Sequence, residues 1–311
     1  MNRWGASAVA GAALIVGAVA APGSFAATAG PAPAHACKLW RMHTVASGLG
    51  ILESLLPDNQ GGMLLSSSTN NAVERLAKNG DVTTVVSASS PGQLVWHGKR
   101  ILLPTGDGVE SGALNRDDGT LELLNLATGK VQPYADHLTM PNGLALGPGG
   151  AAYVTRDTGT GTGITRIGVG KRHKVKTQWA KLSDTNGIAV DRKRKVMYVD
   201  RTFTQKAPVI RIPLRHPGRA KQVANFVGLG SAAPKGLDDL IRARGGVLYV
   251  PGNSSGEVFS YDPKTDRACL IASGLQNPSA TAIGTGHGWR KGSVFVCGFD
   301  GTVRRLDPPK Q

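Results

Sequence analysis

The feature that most constrains this chain is a strand-rich motif written into it about six times. A short apolar strand, a glycine-bearing turn and a second apolar strand occur at 141–146 with 149–154, at 185–190 with 196–199, and at 236–241 with 245–250. Weaker copies lie at 51–56 with 61–65, at 91–96 with 100–103, and at 278–283 with 294–296. The equivalent positions Glu53, Gly92, Asn142, Asn186, Asp238 and Ser279 fall roughly 40 to 50 residues apart, the blade period of a propeller. Copies continue into a third strand with alternating pattern, as at 256–262, then a Pro263–Asp266 turn and a fourth strand at 268–275. Four antiparallel strands make one blade. A β-sandwich has no need of such full-blade spacing. The expected fold is therefore all-β: a six-bladed β-propeller closed by an N-terminal strand completing the last blade.

The closure follows from a mismatch at the two ends. The sixth copy stops after its third strand, 302–306, and segment 41–49 matches the fourth strand of the fifth copy, ending in the same Ala-Ser-Gly-Leu. That N-terminal strand completes the ring and covers an otherwise exposed edge. Ahead of it, Asn2-Arg3 precedes an Ala/Gly-rich run over 6–21, and Ser24-Phe25-Ala26 offers a small-residue cleavage site. The run is about 16 residues long and broken by glycine, short of the roughly 20 apolar residues a membrane span needs. The expected organisation is a signal peptide over 1–26, a Pro/Ala-rich leader over 27–37 and a propeller over 38–311, in a secreted or extracytoplasmic protein. Three cysteines in an exported chain imply one disulfide and one leftover thiol. Cys37 paired with Cys269 or Cys297 helps close the ring, and Cys269 with Cys297 is equally open.

The formal net charge is +15. Its Lys and Arg residues are spread over turns such as 171–174, 192–195 and 215–221, without interleaved aromatic residues to stack bases, so specific nucleic-acid binding is not expected. Electrostatic association with an anionic cell envelope is the partner this balance fits.

In a propeller the innermost strands start around one channel, so the six aligned residues converge. They read Glu, Gly, Asn, Asn, Asp, Ser. Glu53, Asn142, Asn186 and Asp238 form a set of two carboxylates and two amides, hard oxygen donors suited to Ca2+, and without His or Cys a poor match for zinc or copper. Taken singly, Asn-Gly and Asp are ordinary turn residues. The loops leaving the second strands rim the same mouth and carry Thr105 to Asp107, Arg156 and Asp157, Asp200 to Phe203, Asn253, and Phe299 with Asp300. Thr105, Arg156, Arg201 and Phe203 are the substrate-wall candidates among them. The Gly/Thr-rich segment 157–163 lacks the Gly-Lys-Ser/Thr of a phosphate loop and reads as a flexible rim or lid.

At these residues the chain resembles the regucalcin/gluconolactonase family of calcium-dependent six-bladed propellers, over about 39–307. The resemblance implies that Glu53, Asn142, Asn186 and Asp238 are metal ligands and that the chain hydrolyses a lactone or related ester. In this reading the metal polarises the carbonyl and Asp238 activates water. Met140 stands where sugar lactonases of the family carry an arginine, and Gly236-Leu237-Asp238-Asp239 replaces their Pro-Asp-Gly, so a less polar substrate fits as well as a sugar acid. Two other readings are a phosphotriesterase or arylesterase at the same site, and a non-enzymatic ligand-binding propeller with structural calcium. No G-x-S-x-G elbow supports a serine nucleophile.

Overall fold

The structure is a computed structural model that describes residues 37–170 and 172–309. The expected signal peptide and nearly all of the leader lie outside the described residues. Strand β1 (Arg41–Ala46) comes first. Blade one is β2 (Leu52–Pro57), β3 (Gly62–Ser67), β4 (Ala72–Ala77) and β5 (Val82–Ser87). Blade two is β6 (Val95–His97), β7 (Arg100–Thr105), β8 (Gly119–Leu124) and β9 (Val131–Leu138). Blade three is β10 (Leu144–Leu146), β11 (Ala152–Arg156), β12 (Gly163–Ile167) and β13 (Val175–Ala180). Blade four is β14 (Thr185–Asp191), β15 (Val196–Arg201), β16 (Pro208–Pro213) and β17 (Lys221–Asn225). Blade five is β18 (Ile241–Arg242), β19 (Leu248–Gly252), β20 (Glu257–Asp262) and β21 (Arg267–Ser273). Blade six is β22 (Pro278–Ile283), β23 (Val294–Gly298) and β24 (Val303–Asp307), and its sheet runs β1-β24-β23-β22.

The closing strand is thus where the sequence places it. β1 pairs antiparallel with β24, Arg41 opposite Asp307 and Ala46 opposite Val303. Cys37 forms a disulfide with Cys269 on β21, their Cα atoms 5.6 Å apart, and Cys297 is free and buried. The bridge clasps the closing strand to the neighbouring blade, and Trp40 N donates to Ile271 O at 2.7 Å beside it.

The core is not one cluster but six, each between neighbouring blades. Between blades four and five, for instance, Phe226 and Phe259 stack with ring centroids 4.6 Å apart, among Tyr198, Val209, Leu240 and Val250. Second strands are therefore covered on both faces, and β3 is buried along its whole length. This explains why those strands read as continuous apolar runs rather than as clean alternation. The one α-helix among the described residues, α1 (Val109–Ala113), sits in the loop that leaves β7. So short a helix leaves no periodic signal in a sequence.

Candidate metal centre

Each innermost strand begins, and each second strand ends, on the same face of the ring. Glu53, Asn142, Asn186 and Asp238 from the first set therefore share the channel mouth with Asp107, Asp157 and Asp200 from the second. The residues influence one another directly. Asp238 feels Glu53 and Asp157, while Asp107 feels Glu53, Asp157 and Asp238 with Asn142 beside it. Asn186 Nδ2 lies 3.4 Å from Asp157 Oδ2. All four expected ligand residues are brought to one centre.

Burial is the largest force on these acids, and mutual repulsion adds to it. Together with the nearby Asp157 carboxylate, burial pushes Glu53 up to about 7. Asp107, Asp200, Asp238 and Asp239 are held well above the usual carboxylate range, by burial first and by neighbouring carboxylates second. Burial raises Asp157 as well, against the hydroxyl of Thr158, which donates to it. Among the described residues no Lys or Arg side chain pairs with Glu53, Asp107, Asp200, Asp238 or Asp239.

Several oxygens at this mouth lack a well-placed donor, although Asn142 stands beside Asp107 and Gln93 beside Asp239. Both carboxylate oxygens of Asp107, Oδ1 of Asn186, Oδ2 of Asp200 and Oδ1 of Asp239 are buried without a hydrogen-bond partner among the described residues. Each such atom costs on the order of 1 to 3 kcal/mol if nothing satisfies it. Among the described residues the acceptors at this mouth outnumber the donors, an excess that a hard cation offsets. Among the described residues no three His, Cys, Asp or Glu side chains are drawn together tightly enough to hold a metal by themselves. The oxygen set that does converge mixes carboxylates with amides.

The surrounding bonds fix how these oxygens point. Asn186 Nδ2 also donates to Thr202 Oγ1 at 3.0 Å, and that hydroxyl donates onward to Leu237 O at 2.9 Å. With its amide nitrogen held on the rim, Asn186 turns Oδ1 inward. Asn253 Nδ2 donates to Asp238 Oδ2 at 3.2 Å and the Asp239 amide to Oδ1 at 3.0 Å. The amides of Gly106 and Asp107 donate to Ser89 O and Ser90 O at 2.8 and 2.9 Å, which pins the backbone that carries Asp107.

Asp107, Asp157, Asp200 and Asp239 were not expected as part of the oxygen cluster, although the first three lie in loops expected to rim it. One signal was available. Gly92 is the only aligned position of the six without a side chain, and a Cβ there would stand 3.3 Å from Asp107 Oδ2 and only 2.6 Å from Asn142 O. Asp107 thus reaches over the place that blade two leaves bare. The second-strand ends also repeat: Gly143 N donates to Thr155 Oγ1 at 2.9 Å and Gly187 N to Asp200 Oδ1 at 2.8 Å, so the two residues cap the turn in the same way. Ser279, the sixth aligned residue, spends its hydroxyl on Leu52 O at 2.6 Å and joins the last blade to the first.

The wall candidates occupy several different places. Arg156 Nε donates to Thr158 O at 2.9 Å, and its Nη2 donates to Gly112 O at 2.9 Å and to Asn115 Oδ1. It therefore ties segment 157–163 to α1, and Gly159, at φ 88°, lies so close to Gly112 O that no side chain fits there. The glycine-rich segment is a clamped wall rather than the free rim its composition implies. Arg201 is engaged with Ser183 and Asp184. Thr105 Oγ1 shares a 2.8 Å hydrogen bond with Thr120 Oγ1, and Met140 is buried under α1 with its amide donating to Ser111 Oγ at 3.3 Å. Phe203 stands exposed, and Val109, Leu114 and Phe299 are further apolar side chains exposed on this face.

No family model matches the sequence, and no curated protein is significantly similar to it. Solved structures are similar in three dimensions. A gluconolactonase from Xanthomonas campestris superposes with a TM-score of 0.68 at 17% identity, over 87% of this chain and 90% of that one. The calcium-binding protein regucalcin from Agrobacterium tumefaciens gives 0.65 at 15% identity, over 89% and 98%. The fold is the six-bladed propeller of gluconolactonases and regucalcin. A streptogramin B lyase shares the architecture more distantly, with a TM-score of 0.57 at 13% identity over 82% and 78% of the two chains. The propeller therefore carries more than one chemistry, and the site residues must supply the functional argument.

Proposed function

We propose that this protein is a calcium-dependent hydrolase of a lactone or related ester, acting outside the cytoplasm after removal of its signal peptide. The observation that carries the reading is the set of buried oxygens without donors around Glu53, Asn142, Asn186 and Asp238. Those four side chains would hold the ion. When bound, calcium neutralises part of the acidic cluster and polarises a carbonyl oxygen as a Lewis acid. Asn253 orients the Asp238 carboxylate. Asp238 takes a proton from the water that attacks the carbonyl carbon, and the acyl–oxygen bond breaks as that proton passes to the leaving oxygen. The similarity to a gluconolactonase supports the reaction class. The exposed apolar rim of Val109, Leu114, Phe203 and Phe299, with Met140 buried, supports a less polar substrate than a sugar acid.

Elemental analysis of the purified protein, joined to a panel of aliphatic lactones, aryl esters and phosphotriesters with and without a chelator, tests this reading. Chelator-sensitive lactone or ester hydrolysis is expected, and Asp238→Asn should lower kcat by about 10²- to 10⁴-fold, the usual worth of a general base. Glu53→Gln should lose both metal and turnover. Bound calcium without turnover on any substrate would make the protein a binding propeller. If Asp107→Asn abolished turnover while Asp238→Asn did not, water activation would belong to Asp107.

A further inference from the structure

The faces of the ring differ in charge for a topological reason. Turns between first and second strands, and between third and fourth strands, lie on the face opposite the metal centre. The basic runs at 192–195 and 215–221 fall in or beside those turns. Between blades four and five they meet a cleft of about 680 Å³ that is lined by Arg194, Arg211, Lys221 and Lys264. A second cavity of about 500 Å³, sharing Arg194 and Lys264 with the first, adds Lys193, Arg242 and Arg244. Against these seven cations the two cavities hold two carboxylates, and both are engaged: Asp266 accepts from Tyr261 Oη at 2.8 Å, and Asp191 pairs with Arg242 at 2.7 Å.

Most of the positive charge has no partner within the protein. The side chains of Lys193, Arg211, Lys221, Arg244 and Lys264 make no ion pair or hydrogen bond among the described residues. Arg242 Nε is buried with its hydrogen unsatisfied. Tyr198, 1% exposed, lines the larger cleft with a hydroxyl that has no partner among the described residues. Like charges gathered this way repel one another, and folding gains nothing from them unless an anion is bound. The tyrosine rings of the cleft are packed into the core, so no flat aromatic surface is offered to bases or sugars, and recognition rests on charge and hydrogen-bond donors.

We infer that this paired cleft between blades four and five binds a linear phosphate polymer through its phosphates. Arginine forks and lysine ammonium groups together suit phosphate oxygens. Two neighbouring cavities that share Arg194 and Lys264 in their walls favour a chain over a single ion. Binding here leaves the metal centre on the opposite face open.

The probe is end-labelled inorganic polyphosphate of defined length, titrated by fluorescence anisotropy against the full protein across salt concentrations. The triple variant Arg211→Glu/Lys221→Glu/Lys264→Glu should weaken binding by about tenfold or more at low salt and flatten the salt dependence. The control triple Lys78→Glu/Lys99→Glu/Lys130→Glu removes the same charge from turns of blades one and two on the same face, and should weaken binding no more than about threefold. A melting temperature near that of the parent protein checks that each triple is folded. Equal weakening by both triples would replace the cleft with a diffuse basic face and overturn the inference. So would binding to vesicles of phosphatidylglycerol and phosphatidylcholine without binding to polyphosphate.

Discussion

Asn186 illustrates how the fold aims a single side chain. Its identity supplies an amide, which serves equally well in a turn, and the direction of its oxygen is set by Asp157 and by Thr202, which hold the nitrogen. Thr202→Val removes the closer of those acceptors without touching the proposed ligand set. Calcium affinity should fall by about 10- to 100-fold, the usual effect of an outer partner on a metal ligand, and isothermal titration measures it directly. Unchanged affinity would mean that the Asn186 carbonyl does not face the ion. The four expected ligand residues occupy one position of the repeat, and that shared position made their convergence legible in the sequence. Asp107 was not legible as a member of the cluster, since it comes from the adjacent strand end and fills a place left bare by Gly92.

Among the elements, one contact anchors the site and another closes the ring. Lys235 and Glu257, both 3% exposed, form a 2.7 Å ion pair, and Lys235 also donates to Leu229 O and Ser231 O. This anchors the connection that delivers Asp238 to the mouth. The other feature is the clasp of Cys37 to Cys269, which closes a loop of 232 residues in sequence separation. Cys37→Ser should cost about 2 to 5 kcal/mol of stability, mostly by freeing the unfolded chain. Denaturant midpoints should place the variant level with the parent protein under reducing conditions and below it under non-reducing ones. A midpoint equal to that of the disulfide-bonded parent would show that β1 holds blade six without the clasp. Cysteine count alone left three pairings open; the ring decides among them by laying β1 beside blade five.

For the molecule as a whole, the acids divide into two groups with opposite effects on stability. Glu53, Asp107, Asp157, Asp200, Asp238 and Asp239 have folded pKa values above their ordinary ones, so without a cation they contribute stability at acid pH that is lost as pH rises through those values, about 7 for Glu53. Glu257, Asp300 and Asp307 are displaced the other way. Their burial is outweighed by hydrogen bonds from Lys235, from Arg304 and from Ser293 with Arg305 respectively, and their contribution is lost as pH falls below the ordinary carboxylate range. Chelated protein should therefore melt highest in mildly acid solution and lose stability toward pH 8. Calcium, which binds the deprotonated oxygens, should raise the melting temperature most at the alkaline end. Scanning calorimetry across pH with and without calcium checks the sign, and a calcium effect independent of pH would count against a shared carboxylate site.

The number of blades, the closing strand and the four aligned oxygen residues are all written in the repeat, because a repeating unit that cannot bury its own faces must stack on copies of itself and keep equivalent positions equivalent. Which other side chains reach the channel mouth depends on the folded ring. The closed ring sets Asp107, Asp157, Asp200 and Asp239 beside Glu53 and Asp238, spends Arg156 and Arg201 on loop contacts, and gathers basic turns from two blades into one cleft. Those outcomes depend on distances between residues of neighbouring strands and blades, which the periodicity of a single chain does not encode.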